Sequence, residues 1–237
     1  MKHLILLLLI GGIPGHIPTS AQPLKVGDKV YSHAPNGLTL RKTPAKDGLK
    51  VALIPYNAAP LLVLTLPDPT TRFAAESIGT FAIEGGWMNV RTRDGQEGYL
   101  FSGYLSTHPP AIEEPEEGIE PTEWFYQTLS PLAGKHKKLP PINGSNTHYQ
   151  QDYADGAQFE LQVFEGGATQ ILTIPAGKFS MQEAFVLFRP VWFGTSQTTG
   201  HYVAQKKFLT INSDGGMTQL TMQQTGNRLI MTFRVAD

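Results

Sequence analysis

No cysteine occurs in the 237 residues, which excludes disulfides, thiolate metal sites and cysteine nucleophiles together. The same absence removes the lipid-modified cysteine that a lipoprotein carries after its export signal. Charge of one sign is also in short supply: 19 Lys and Arg stand against 20 Asp and Glu, a formal net charge of -1. There is no bulk field to gather nucleic acid or an anionic membrane, so no nucleic-acid partner is expected. After Ile10 no apolar run approaches the roughly 20 residues of a membrane helix, and no membrane span is expected in the mature chain.

The signatures of common hydrolases are missing too. No Ser sits in Gly-x-Ser-x-Gly or Ser-x-x-Lys spacing, no His-Glu-x-x-His pair occurs, and no Gly-rich loop leads into Lys-Ser/Thr. His33, His108, His136, His148 and His201 are scattered, so neither a metal nor a cofactor is expected. His148 and Asp152 share a face if 147–153 is a strand, but stand about 13 Å apart along it. Paired carboxylates for glycoside cleavage need no motif and stay open; the candidates are Asp152, Asp155, Glu160, Glu165, Glu183 and Asp214.

What is present begins with an address. Lys2 and His3 precede the apolar run Leu4–Ile10, and Thr19-Ser20-Ala21 offers small residues before Gln22. That layout predicts a cleavable signal peptide over 1–21 and an exported protein, periplasmic or extracellular. A second compositional break packs five Glu and four Pro into 109–121. Such a segment buries no face, which predicts a stiff solvated linker over 108–121 between two domains.

Before that linker, short Val-, Leu-, Ile- and Tyr-rich segments at 29–31, 38–41, 51–54, 61–66, 81–83, 88–91 and 98–101 alternate with Gly, Pro and Asn, a spacing that predicts a small all-β barrel over 24–107. Asp94-Gly95 marks a hairpin turn. After the linker, Phe125, Leu129 and Leu132 fall at i, i+4, i+7 and predict a short helix kinked or restarted at Ser130-Pro131 and ended at Gly134. Strands are expected at 147–153, 158–164 and 168–174. Ser180-Met181-Gln182-Glu183 has the capping-box form, opening a helix expected to stop near Phe188 or Arg189 because Pro190 follows. A three-stranded meander at 207–212, 219–224 and 228–235 closes an α+β domain over 122–237, an antiparallel sheet with one or two helices.

The first domain can be placed further. Gly37-Leu38-x-Leu40-Arg41-x-x-Pro44, then Val51-Ala52-Leu53-Ile54-Pro55-Tyr56, then Gly86-Trp87-Met88-Asn89-Val90, then Gly98-Tyr99-Leu100-Phe101-Ser102-Gly103-Tyr104-Leu105-Ser106 resemble the successive strands of a bacterial SH3 domain (SH3b), over 24–106. The resemblance implies an SH3-like barrel in an exported envelope protein. It also implies ligand contacts at Tyr31, Arg41, Tyr56, Tyr99 and Tyr104, although each of these residues also has a purely structural reading. One departure is the long interval from Pro60 to Gly85, where Pro67-Asp68-Pro69 and Gly85-Gly86 suggest an extra hairpin.

The second domain resembles no known family. Its rings, Trp124, Phe125, Tyr126, Tyr149, Tyr153, Trp192, Phe193 and Tyr202, suit a core and equally suit a sugar or peptide surface. Two expectations follow. The first is a non-catalytic binding protein of the cell envelope, whose partner is a peptide, a peptidoglycan fragment or another envelope protein. The alternative is a carboxylate-dependent cell-wall hydrolase with its activity in the second domain.

Overall fold

The computed structural model describes residues 24–110, 119–142, 144–193, 198–203, 207–213 and 216–236. The expected signal peptide over 1–21 and most of the Glu/Pro stretch lie outside them. The architecture is mostly β, with antiparallel sheets and two helices. In the first half, β1 (Lys29–Ser32), β2 (Leu38–Arg41), β3 (Lys50–Ile54) and β4 (Leu61–Thr65) are followed by β5 (Phe73–Ile78) and β6 (Phe81–Gly85). Then come β7 (Trp87–Arg91), β8 (Glu97–Phe101) and the short β9 (Leu105–Ser106). Seven of these form one sheet in the order β3-β2-β8-β7-β4-β1-β9, and β5-β6 form a separate ribbon.

Period-two alternation explains the sheet. Val30, Leu38, Leu40, Leu61, Val63, Met88, Val90 and Leu100 point to one side and are buried, and the residues between them face outward or are half-covered. Gly95, at φ +87°, makes the hairpin turn between β7 and β8. Among the described residues no pairing joins β9 back to β3, so hydrogen bonding does not close the expected barrel.

The interval from Pro60 to Gly85 holds the extra hairpin. Asp68 caps a single 3-10 turn, Pro69–Thr71, by accepting from the Thr70 N–H at 2.8 Å, and β5 and β6 turn at Gly79, φ +60°. At one end the hairpin touches the first sheet, where Phe73 of β5 packs on Trp87 at 5.4 Å and on Phe101 at 4.9 Å, but its buried apolar residues lie elsewhere. Ile78, Phe81 and Ile83 are buried in a second core together with Phe185 and Phe188, while the first sheet has its own cluster around Val30, Leu40, Val63 and Leu100.

The second half supplies that larger core. It runs α1 (Pro121–Leu129), β10 (Lys137–Lys138), β11 (Thr147–Asp152), β12 (Gln158–Phe164), β13 (Gly167–Pro175), α2 (Met181–Phe193), β14 (Thr198–Val203), β15 (Phe208–Ser213), β16 (Thr218–Thr225) and β17 (Arg228–Ala236). All eight strands pair in the order β10-β11-β12-β13-β17-β16-β15-β14. Each helix is therefore followed by a four-stranded meander, and the last strands of the two meanders meet at the middle of the sheet. One row of the buried face crosses five strands as Phe159, Leu172, Met231, Met222 and Leu209. The next crosses as Leu161, Gln170, Phe233, Leu220, Ile211 and Gly200.

Two features of that second row matter. Gln170, 5% exposed, donates to Glu120 at 2.7 Å and ties the start of α1 to the sheet. Gly200 leaves a socket that Ile78 of the hairpin fills, since a Cβ there would collide with Ile78 Cγ2.

Three expectations are corrected. α1 ends at Leu129 without restarting. α2 passes through Pro190 to Phe193, because packing of its last turn outweighs a missing backbone donor and a ring clash of about 3 kcal/mol. In that turn Trp192 stacks on Phe188 at 5.2 Å and on Phe233 at 5.3 Å, and its Nε1–H donates to Thr122 at 2.7 Å. The closing meander has four strands, since β14 pairs along β15.

Candidate binding site between the two sheets

β9 brings Ser106 opposite Tyr31 of β1, and the chain leaving β9 passes Thr107 and His108. The buried His33 fixes this exit, its backbone N–H donating to Tyr104 O at 2.9 Å and its Nε2 to His108 O at 2.9 Å. Facing it is the start of α2. Ser180 Oγ accepts from the Glu183 N–H at 3.0 Å, and the Glu183 carboxylate is stabilised in turn by the Ser180 backbone, the reciprocal pair expected of a capping box. That carboxylate also accepts from Ser106 Oγ at 3.3 Å. His108 lies edge-on to Phe179, 5.2 Å between centroids, and Lys178 sits over the rings of Tyr126 and Phe179 while pairing with Asp155.

These segments border an open cavity of about 630 Å³ lined by Asp28, Lys29 and Ser106–His108 from the first half and by Lys178 and Glu183 from the second, with Leu24, Val30 and Leu105 completing the lining. Burial, and then the charge of Lys178, holds the His108 imidazole below its ordinary pKa. Burial raises the Glu183 carboxyl above the usual range against the hydrogen bonds from Ser106 and Ser180. Both shifts favour neutral forms, as a partly dry cleft requires.

Ser, His and Glu meet here, but in an order that matters. The Ser106 hydroxyl donates to Glu183, accepts from the His108 backbone N–H at 3.2 Å and lies 3.2 Å from His108 Nδ1. An acyl-transfer triad needs imidazole between hydroxyl and carboxylate. Here the hydroxyl is in the middle, between His108 Nδ1 and the Glu183 carboxyl, and 4% exposed, which is not the order of an acyl-transfer triad.

The residues singled out by the resemblance are dispersed. Arg41 is half-buried, donates from Nη1 to Gly48 O at 2.7 Å and pairs across to Tyr99. Tyr31 and Tyr99 are half-buried, and Tyr56 packs edge-on to His33 at 6.0 Å. Tyr104 packs on Phe101 at 5.9 Å and donates to Glu76, which also accepts from Arg189 of α2 at 2.8 and 2.9 Å. The cavity gathers none of the five.

Of the candidate carboxylates, Glu183 lines the cavity. Asp152 pairs with Lys137, Asp155 with Lys178, and Glu160 accepts from His148 at 2.9 Å and Gln162 at 2.6 Å. Glu165 is exposed in the β12–β13 turn, and Asp214 and the Tyr202 side chain lie outside the described residues. A further acid escaped sequence reading. Glu123, fully buried on α1, is bonded by His136 Nε2 at 2.5 Å and the Tyr149 hydroxyl at 2.7 Å, with His136 stacked on Tyr149. Its partners come from within the chain and hold the segment around β10 against α1.

Lys178 and Asp28 carried no sequence signal and Ser106 only one as the end of a strand motif, since the cavity assembles segments 70 or more residues apart. The capping box was the one pointer to Glu183. Among the described residues no group of His, Asp and Glu is arranged to hold a metal ion, and no helix is long and apolar enough to cross a membrane. Comparison with protein-family models, with curated proteins and with solved structures finds no match.

Proposed function

We propose that this is an exported, non-catalytic binding protein of the bacterial envelope, its first half an SH3b-like module, and that it takes a short peptide, free or part of a wall fragment, in the cavity between its two sheets. The observation that carries the reading is the cavity itself. At about 630 Å³ it falls within the range of small-ligand sites. Its lining offers acids, Asp28 and Glu183, beside bases, Lys29 and Lys178. A peptide brings both charges, and apolar Leu24 and Leu105 give its side chains a wall. The export signal read in 1–21 and the strand motifs over 24–106 support the envelope setting.

The test is calorimetric titration of the mature chain with short peptides and muropeptides. Saturable binding weakened at least tenfold in Glu183→Gln or His108→Ala is expected. Absence of binding sinks the reading, and cleavage of the added material replaces it with the carboxylate-dependent hydrolase.

A further inference from the structure

The cavity does not end at Lys29. In the first sheet Lys29 of β1 stands opposite Leu62 of β4, and Leu62 opposite Arg91 of β7. Their neighbours Val30, Leu61 and Val90 are buried in the core, so Lys29, Leu62 and Arg91 form one row on the outer face, about 10 Å long at 4.8 Å per strand. A second cavity of about 380 Å³ lies along this row, floored by Ala59, Pro60 and Leu62 and rimmed by Lys29, Arg91 and Arg93. Lys29 lines both cavities, on the face that carries Ser106 at the other end of β1.

The two ends differ in charge. Asp28 and Glu183 line the first cavity, where the Lys178 ammonium is already paired with Asp155 and Lys29 stands at the border, and no acid lines the second. Arg91 is held by Glu97, Nη2 to Oε1 at 2.6 Å. Among the described residues Lys29 and Arg93 form no ion pair.

We infer that the two cavities act as one groove for an extended peptide of about four or five residues, whose amino end lies by Asp28 and Glu183 and whose free carboxylate lies between Lys29 and Arg93. The length follows from the row, which takes about three residues at 3.3 Å each beyond the one held in the first cavity. The direction follows from charge complementarity, since an arginine fork matches a carboxylate and an acid-lined cleft matches an ammonium. The apolar floor takes the side chain before the terminal residue. This rests on the peptide reading above, and adds its direction, its length and the requirement for a free carboxyl end.

The test uses the full mature chain, immobilised, and a randomised tetrapeptide library supplied as free acids and as C-terminal amides, with retained peptides quantified by mass spectrometry. Free acids should be retained at least tenfold over amides. Arg93→Gln, an exposed turn substitution whose melting temperature should match the parent, should bring that ratio close to one by weakening the acids alone. If acids and amides are retained equally by the parent, the groove is overturned and the first cavity remains as a peptide site. If no peptide is retained in either form, both readings fall. A preference for acids that Arg93→Gln leaves intact also overturns the inference, since the carboxylate then lies elsewhere.

Discussion

The two sheets solve the same burial problem with different means. The first sheet closes a small aliphatic core around Leu40, Val63 and Leu100. The second covers one face with two helices and fills the space with Phe125, Tyr126, Phe159, Phe185 and Phe188, all fully buried. The hairpin β5–β6 belongs to the first half by sequence, and although Phe73 touches Trp87 and Phe101, its buried residues belong to the second by packing, with Phe81 edge-on to Phe185 at 5.7 Å. Polar contacts repeat the pattern. Gln182 of α2 accepts from the Glu84 N–H at 3.0 Å and donates to Glu84 O at 2.8 Å, in effect pairing with the edge of β6. Chain connectivity and core membership are thus separate properties, and the cavity exists because a piece of the first half is anchored in the second.

The largest expected effect is the one that breaks this sharing. Phe81→Ala removes a buried ring, costing about 3–5 kcal/mol. Amide exchange should accelerate in α2 (Met181–Phe193), a hundred or more residues along the chain, more than in β2 or β8.

The first sheet has its own vulnerability, in acid. His33 is 1% exposed, and burial lowers its pKa to about 4. A histidine whose folded pKa lies below its unfolded value stabilises the fold fully above pH 6.5 and loses that contribution as pH falls from 6.5 through 4. The loss is about 3 kcal/mol at 1.36 kcal/mol per unit. Denaturation of His33→Gln should show a shallower decline over that window than the parent, whatever its stability at neutral pH.

Gly200→Ala tests the socket under Ile78. A methyl there meets both Ile78 Cγ2 and Thr210 O, and overpacking of this kind costs about 1–3 kcal/mol. Ile78→Ala in the same chain should return part of the loss, measured by a double-mutant cycle.

The mildest contrast is between two ion pairs of the same chemistry. Arg189, 15% exposed, joins α2 to Glu76 of the hairpin, and Arg189→Gln should cost about 1–2 kcal/mol. Arg91 and Glu97, both nearly half exposed, should lose less than about 0.5 kcal/mol in Glu97→Gln. Equal losses in thermal melts would erase the distinction between junction and rim.

Legibility in the sequence followed one-sided burial. β17 alternates Leu229, Met231 and Phe233 with half-covered or exposed neighbours, and that period is visible without coordinates. β10 is two exposed lysines and β14 carries a glycine in its middle, so neither shows a period. The turn residues around 67–69 and 85–86 announced a hairpin, but nothing local says that Ile78, Phe81 and Ile83 turn away from the nearer core. Pro190 misled for a similar reason: its local penalty is real, and the opposing packing of Trp192 is tertiary. Tyr104 and Ser106 looked like the end of a module, and in the structure they face Glu76, Arg189 and Glu183 across the junction. Motifs specify strands well. What lies opposite a strand is set by the rest of the chain.

Native-state hydrogen exchange of the full chain under increasing urea addresses that division most directly. If the hairpin belongs to the second core, amides of β5 and β6 will open in one cooperative unit with those of α2. Hairpin amides that open together with β2 and β8 while α2 stays protected would contradict it, and with it the anchoring that forms the cavity.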